Sequence, residues 1–169
     1  VRTRELETLL EAAQATSYTL DIDEVFSGVV RLALQALDMD DGALMIYDNV
    51  EEELKVELDM NRQGDRNRIT PAGTIYDLRD YPAKSRALRE NQIIVIRRDD
   101  IDADPRELQE MLQNGETARM LVPLIVREQA IGLLQIELNS PTRMFTHREI
   151  RMAQALAAQA ATAIENARL

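Results

Sequence analysis

Ala118-Arg119-Met120-Leu121-Val122-Pro123-Leu124-Ile125-Val126-Arg127 and Ala130-Ile131-Gly132-Leu133-Leu134-Gln135-Ile136-Glu137-Leu138-Asn139 are two apolar, strand-like runs joined by a tight charged turn. Runs of this kind, so closely joined, read as a β-hairpin. Phe145-Thr146-His147-Arg148-Glu149 follows and opens a long Ala-rich helix that closes on Ile164-Glu165-Asn166-Ala167-Arg168-Leu169. Thr146 and Glu149 have the spacing of a capping box. Gly132 allows close packing or a bulge at the start of its strand. Pro123 requires an edge position, a bulge, or a ring nitrogen turned away from the ladder. A hairpin that feeds a helix suits a domain that passes a signal onward better than one that performs chemistry.

Working outward, Asp104-Pro105-Arg106-Glu107 is a strong helix start, with Asp as N-cap, Pro at N1 and Glu at N3, and Asn114-Gly115 ends that helix. Tyr81–Glu90 reads as a short helix ahead of a buried strand, Ile93–Ile96. Ala43–Asp48 reads as the first strand, and Leu54, Val56 and Leu58 alternate with charged residues as a half-exposed second. Before them, a helix ending near Leu37 carries Val25, Val29, Leu32 and Ala36 on one face, widened by Phe26, Val30, Ala33 and Leu37, with Asp21 as N-cap. Arg2–Leu20 reads as a further helix, in which Leu6, Leu10 and Ala13 follow a heptad seam. Hairpins at both ends of the sheet imply antiparallel pairing with helices against its faces, an α+β sandwich in a single domain.

The net charge of −10 argues against nucleic acid, and Arg97-Arg98 is cancelled at once by Asp99-Asp100. No apolar run approaches the ~20 residues of a membrane helix. Cysteine is absent, which excludes disulfides, thiolate metal sites and cysteine nucleophiles, and fits a cytoplasmic origin. The chain begins at Val1 and is expected to be a piece of a longer protein.

Leu121-Val122-Pro123-Leu124-Ile125-Val126, Ile131-Gly132-Leu133-Leu134-Gln135-Ile136, Phe145-Thr146 and Ala157-Ala158-Gln159-Ala160-Ala161-Thr162-Ala163-Ile164-Glu165-Asn166-Ala167 together resemble the GAF domain, a ligand-binding or interaction module of bacterial signalling proteins. The resemblance spans nearly all of residues 1–169 and implies a GAF/PAS-like central antiparallel sheet of five or six strands. It implies N- and C-terminal helices, over 1–20 and 147–169, on one face, with short helices and loops over the other. It further implies a homodimer through the terminal helices, with Leu6, Leu10, Ala13, Ala153, Ala157, Ala160 and Ile164 at the interface; the bland alternative is a monomer whose wide Ala-rich face packs its own sheet. The output domain, a kinase, cyclase, phosphatase or regulator, would lie outside this chain.

Several chemistries of that family are argued against. Cyclic-nucleotide-binding members resemble one another through Asn-Lys, Phe and Asp-Glu; here Ser140 stands for Lys, Glu149 for Asp and Ile150 for Glu. Bilin attachment and methionine sulfoxide reduction need the missing cysteine. His147, the one histidine, reads as an exposed capping-region residue and not as a haem ligand. Asp100-Ile101-Asp102-Ala103-Asp104 opens like a calcium loop, but Arg106 and Met111 occupy the Gly and Glu positions. No phosphate loop or nucleophile motif is present, so we expect neither catalysis nor a cofactor.

What remains is a pocket over one sheet face, crossed by Thr74–Tyr81 and Ile96–Leu112. Strand alternation turns Leu134, Ile136 and Leu138 toward the terminal helices and Leu133, Gln135 and Glu137 toward the pocket. Tyr47, Tyr76, Tyr81 and Arg97 are candidate walls or partners there for Gln135 and Glu137. The bland reading puts Gln135 and Glu137 near an edge, in water, and makes the tyrosines plain amphipathic core. Two functions stand: a small-molecule sensor, or a ligand-free dimerisation and spacer module.

Overall fold

Helix α1 (Ile22–Leu37) buries Val25, Phe26, Val29, Val30, Ala33, Leu34 and Leu37, a stripe at helical spacing that needs a sheet beneath it. The sheet is supplied by β1 (Asp41–Asp48), β2 (Glu53–Asn61), β3 (Ile75–Asp77), β4 (Ile94–Arg97), β5 (Ala118–Val126) and β6 (Gln129–Leu138). Helices α2 (Pro82–Glu90) and α3 (Pro105–Asn114) flank β4, and α4 (His147–Arg168) closes the chain. The computed structural model describes residues 22–66 and 70–168, so Leu6, Leu10, Ala13 and the Asp21 cap lie outside the described residues.

The six strands pair antiparallel throughout, in the order β3-β2-β1-β6-β5-β4. The expected α+β architecture is therefore the one observed. On one face α1 and α4 meet Leu44, Leu58, Met60, Met120, Val122, Leu134, Ile136 and Leu138. The opposite face carries Ala43, Met45, Leu54, Val56, Leu121 and Leu133 against residues of α2 and α3. Strand β2 is more buried than its charged alternation suggests, because β1 and β3 pair with it on either side. A register shift between Leu44 and Met45 also sends Leu58 to the α1/α4 face while Leu54 and Val56 stay on the other.

The hairpin owes its tightness to Arg127 and Glu128, with φ of 50° and 66°, the left-handed pair that a two-residue turn of this hand demands. Gly132 is required by a close approach: an added Cβ would fall well inside contact distance of the Met45 carbonyl oxygen on β1. Pairing of β4 with β5 stops at Leu121, so Pro123 sits where β5 has lost that neighbour. The capping box forms as spaced: Glu149 N–H donates to Thr146 Oγ1 at 3.1 Å, and Thr146 N–H donates to Glu149 Oε1 at 2.9 Å.

Two glycines make a matched test of this packing. Gly132→Ala forces β1 and β6 apart and should cost about 1–3 kcal/mol, seen as a lower urea midpoint at unchanged slope. In α1, a Cβ on Gly28 meets nothing within 4 Å. Gly28→Ala should stabilise the domain by roughly 0.5–1 kcal/mol in the same measurement.

Candidate functional site

Strand register assembles polar side chains on the face beneath α2 and α3. Asp41 stands opposite Asn61 on β2 and Glu137 on β6, and Glu137 stands opposite Arg119 on β5. In the next row Ala43 separates Asp59 from Gln135. This end of the face is thus polar, while Met45, Leu54, Val56 and Leu133 make the other end apolar. Strand β6 is an inner strand, so Gln135 and Glu137 are 4% and 2% exposed. The bland edge-in-water reading of these two residues does not hold.

Helices supply the counter-charges. Asp104 caps α3 by accepting from Arg106 N–H, which leaves Glu107 free to turn inward. Glu107 accepts from Lys84 of α2 through Oε1 and from Arg119 through Oε2, the latter at 2.5 Å. Gly115, at φ 72°, turns the chain after α3 and brings Glu116 back over the sheet. Glu116 takes the Arg119 guanidinium through two hydrogen bonds, of 2.9 and 2.6 Å. Lys84, Glu107, Glu116 and Arg119 are each 0% exposed. The Lys84 ammonium lies 4.8 Å from the Tyr76 ring centre and 4.9 Å from that of Tyr81, two rings meeting edge to face.

Burial and charge set the protonation states. Burial pushes Glu107 up, but Lys84 and Arg119 outweigh it and hold its carboxyl below the ordinary range. Burial pulls Arg119 down, and Glu116 and Glu107 more than reverse this. For Glu137 the balance goes the other way: burial first, then the negative charge of Glu116, drive its carboxyl well above the ordinary range, and Arg119 and the Gln135 hydrogen bond offset this only in part. Burial also raises Asp59 to about 6, although Thr70 N–H donates to it at 3.0 Å. Gln135 Nε2 donates to Glu137 Oε1 at 2.8 Å, which leaves Gln135 Oε1 and Glu137 Oε2 buried without a partner among the described residues. Unpartnered buried acceptors are rare and costly in native proteins.

A polar pocket of about 430 Å³ opens at this end of the sheet, lined by Asp40, Asp41, Asn61, Arg62, Gln63, Asn114 and Asn139. Two of its wall residues touch the buried layer: Asp41 by register with Glu137, and Asn114 by donating to Glu116 at 3.3 Å.

Of the residues singled out in the sequence, Tyr76, Tyr81, Gln135 and Glu137 lie on or beside this layer. Tyr47 is half-buried and lines a separate pocket of about 170 Å³ with Glu52, Leu78, Arg79, Ser85 and Arg89. Arg97 does not join the site. Ile96 takes the inward position on β4, so Arg97 points to solvent, 3.6 Å from Asp99. Ala153, Ala157, Ala160 and Ile164, expected at a dimer interface, are buried in the chain's own core against the sheet and α1. The outward face of α4 is instead Arg151, Gln154, Ala155, Ala158, Gln159 and Thr162. Lys84, Asp59, Glu107, Glu116 and Arg119 went unnoticed in the sequence. Arg119 alone carried a signal, since hairpin register sets it opposite Glu137.

The molecule is thus a curled antiparallel sheet with paired helices on one face and a buried polar layer crossed by helices on the other. The family model described as GAF domain matches residues 21–164, and the chain belongs to that family. Solved structures agree in fold. The phycoerythrobilin-bound GAF domain from a cyanobacterial phytochrome is 14% identical at a TM-score of 0.79, covering 98% of this chain and 96% of that one. The GAF domain/HD domain protein from Geobacter sulfurreducens is 18% identical at 0.70, covering 88% and 94%. The GAF domain from Acinetobacter phosphoenolpyruvate-protein phosphotransferase is 11% identical at 0.70, covering 99% and 92%. No curated protein matches the chain.

The opposed shifts give a signed pH dependence. Asp59 and Glu137 bind protons more tightly folded than unfolded, so their contribution is present at acid pH and is lost as pH rises through their folded values. Glu107 acts oppositely, contributing above the ordinary carboxylate range and losing that contribution on acidification. The melting temperature of the unliganded chain should therefore fall as pH rises from the ordinary carboxylate range through about 6, where Asp59 ionises, and Glu137→Gln should flatten the part of the fall that lies above it. Glu107→Ala, which strands two buried cations, should cost about 3–5 kcal/mol in denaturant unfolding.

Proposed function

We propose that this GAF domain is a non-catalytic sensory module of a larger bacterial signalling protein, taking a small molecule over the polar end of the sheet and relaying its state through the terminal helices. The observation that carries the reading is the pair of buried, unpartnered acceptors on Gln135 and Glu137 inside a fully buried ionic layer. A fold that strands such groups stores free energy that a matching ligand releases. The relay has a physical route. Arg119 and Leu121 of β5 face the ionic layer and α2/α3, while Met120, Val122 and Leu124 of the same strand pack against the α1/α4 side. A ligand that repositions Arg119 thereby strains the bed on which α4 lies. It shifts the helices only as far as its affinity differs between the two arrangements.

The ligand-free spacer remains a second reading with its own support. Lys84, Glu107, Arg119 and Glu116 satisfy one another and fill much of the interior. In either reading the module is cytoplasmic and a homodimer. With Ala153, Ala157, Ala160 and Ile164 occupied internally, the dimer contact on α4 falls to Ala155, Ala158 and Thr162.

Native mass spectrometry of the gently purified chain tests both parts. We expect a dimer carrying a small-molecule mass shift, with Ala158→Glu yielding monomer. An empty protein that also shows no thermal shift across a metabolite panel would defeat the sensory reading. Monomer at tens of micromolar by light scattering would defeat the dimer.

A further inference from the structure

The sensory reading leaves the chemistry of the ligand open, and the buried charge narrows it. Among the described residues, the buried ionisable groups comprise two cations, Lys84 and Arg119, and five carboxyls, Asp41, Asp59, Glu107, Glu116 and Glu137. Glu107 and Glu116 consume both cations. The remaining carboxyls, Asp41, Asp59 and Glu137, lie on one face across β1, β2 and β6, and among the described residues no cation is bonded to Asp59 or Glu137. Gln135 Oε1 is an acceptor and Glu137 Oε2 becomes one when its carboxyl ionises, so what completes both together must donate. They belong to residues two apart on one strand face, held in relation by the Gln135 Nε2 to Glu137 Oε1 bond. A rigid planar group with paired N–H donors suits two acceptors so fixed.

The pocket wall agrees in sign. Asp40, Asp41, Asn61, Gln63, Asn114 and Asn139 offer carboxylates and amides. Arg62 in the same lining donates through Nε to the Met39 carbonyl at 2.9 Å and pairs with Asp38 at 2.8 Å and with Asp40 of the wall at 3.7 Å. The layer also shows how it holds such a group: Arg119 is a guanidinium seated on this face by Glu116 and Glu107. Among the described residues, no three His, Cys, Asp or Glu side chains are arranged to hold a metal ion, so an organic cation is the better match.

We propose that the acidic end of this sheet face, entered at the wall formed by Asp41, binds a small guanidinium- or amidinium-class cation whose N–H groups complete Gln135 Oε1 and Glu137 Oε2. This inference rests on the sensory reading and names the class of its ligand. Glu137 holds its proton more tightly in the free chain than beside a fixed cation, so complexation releases protons wherever the free carboxyl is still protonated.

Isothermal titration of the chain at neutral pH with methylguanidine and with agmatine tests this, alongside N-methylurea as the neutral isostere and acetate as the anion. The expected result is saturable binding of a cation, at least ~tenfold tighter than N-methylurea, with proton release seen as a heat that depends on the buffer. Glu137→Gln and Gln135→Leu should each weaken binding ~tenfold or more, while Gly28→Ala keeps it, with thermal melts confirming that every variant is folded. Equal binding of methylurea, preference for acetate, or no cation binding at millimolar concentration overturns the cationic class. If acetate or methylurea binds in the cation's stead, the sensory reading survives. If no probe binds and the purified chain carries no ligand, both fall.

Discussion

The burial of Arg119 beneath Glu107 and Glu116 is the interaction on which the rest of the molecule turns. A guanidinium cannot be removed from water on the middle of a sheet without matched acceptors, and here they arrive from two sides. Glu107 comes from α3 and Glu116 from the turn that follows it, so meeting the charge of Arg119 also fixes where α3 lies. Lys84 extends the same bond to α2. The helices over this face are thus placed by charge as much as by apolar contact, whereas α1 and α4 on the opposite face are placed by close packing of Leu, Ile, Val, Met and Ala.

A sheet with one greasy face and one charged face has an asymmetric response to perturbation. Close-packed apolar surfaces transmit displacement, because their side chains have nowhere to go. Ion networks in a low-polarity interior respond steeply to added or removed charge. Strands β5 and β6 carry both kinds of surface, with Arg119, Gln135 and Glu137 on one side and Met120, Val122, Leu134 and Ile136 on the other. The charged face and the helix-bearing face share a single layer of backbone. That shared layer is the route the proposed relay would take.

Local chemistry was legible in the sequence wherever neighbours along the chain determine it. The Thr146–Glu149 box, the Asp104 cap with Pro105, the Gly115 terminus and the two-faced alternation of β6 all stand as read. Gly132 announced a close approach, and only the fold shows that its partner is the Met45 carbonyl. What the sequence hid is convergence. Lys84, Glu107, Glu116 and Arg119 lie on separate elements, and each has an ordinary local explanation, such as Glu107 at N3 of its helix. Arg97 misled because the phase of β4 is settled by Ile96, which packs inward. The Ala-rich seam of α4 reads two ways in sequence, as a dimer contact or as packing on the chain's own sheet, and its Ala153, Ala157, Ala160 and Ile164 are buried against that sheet and α1.

The most direct measurement of the account is a carboxyl-carbon NMR titration of Glu137 in the ligand-free chain, assigned with the Glu137→Gln variant. A buried carboxyl short of counter-charge predicts an acid that ionises only well above the ordinary carboxylate range. A Glu137 that titrates like a solvent-exposed glutamate would contradict it. The polar face would then carry no excess of buried negative charge, and its acceptors would already be met.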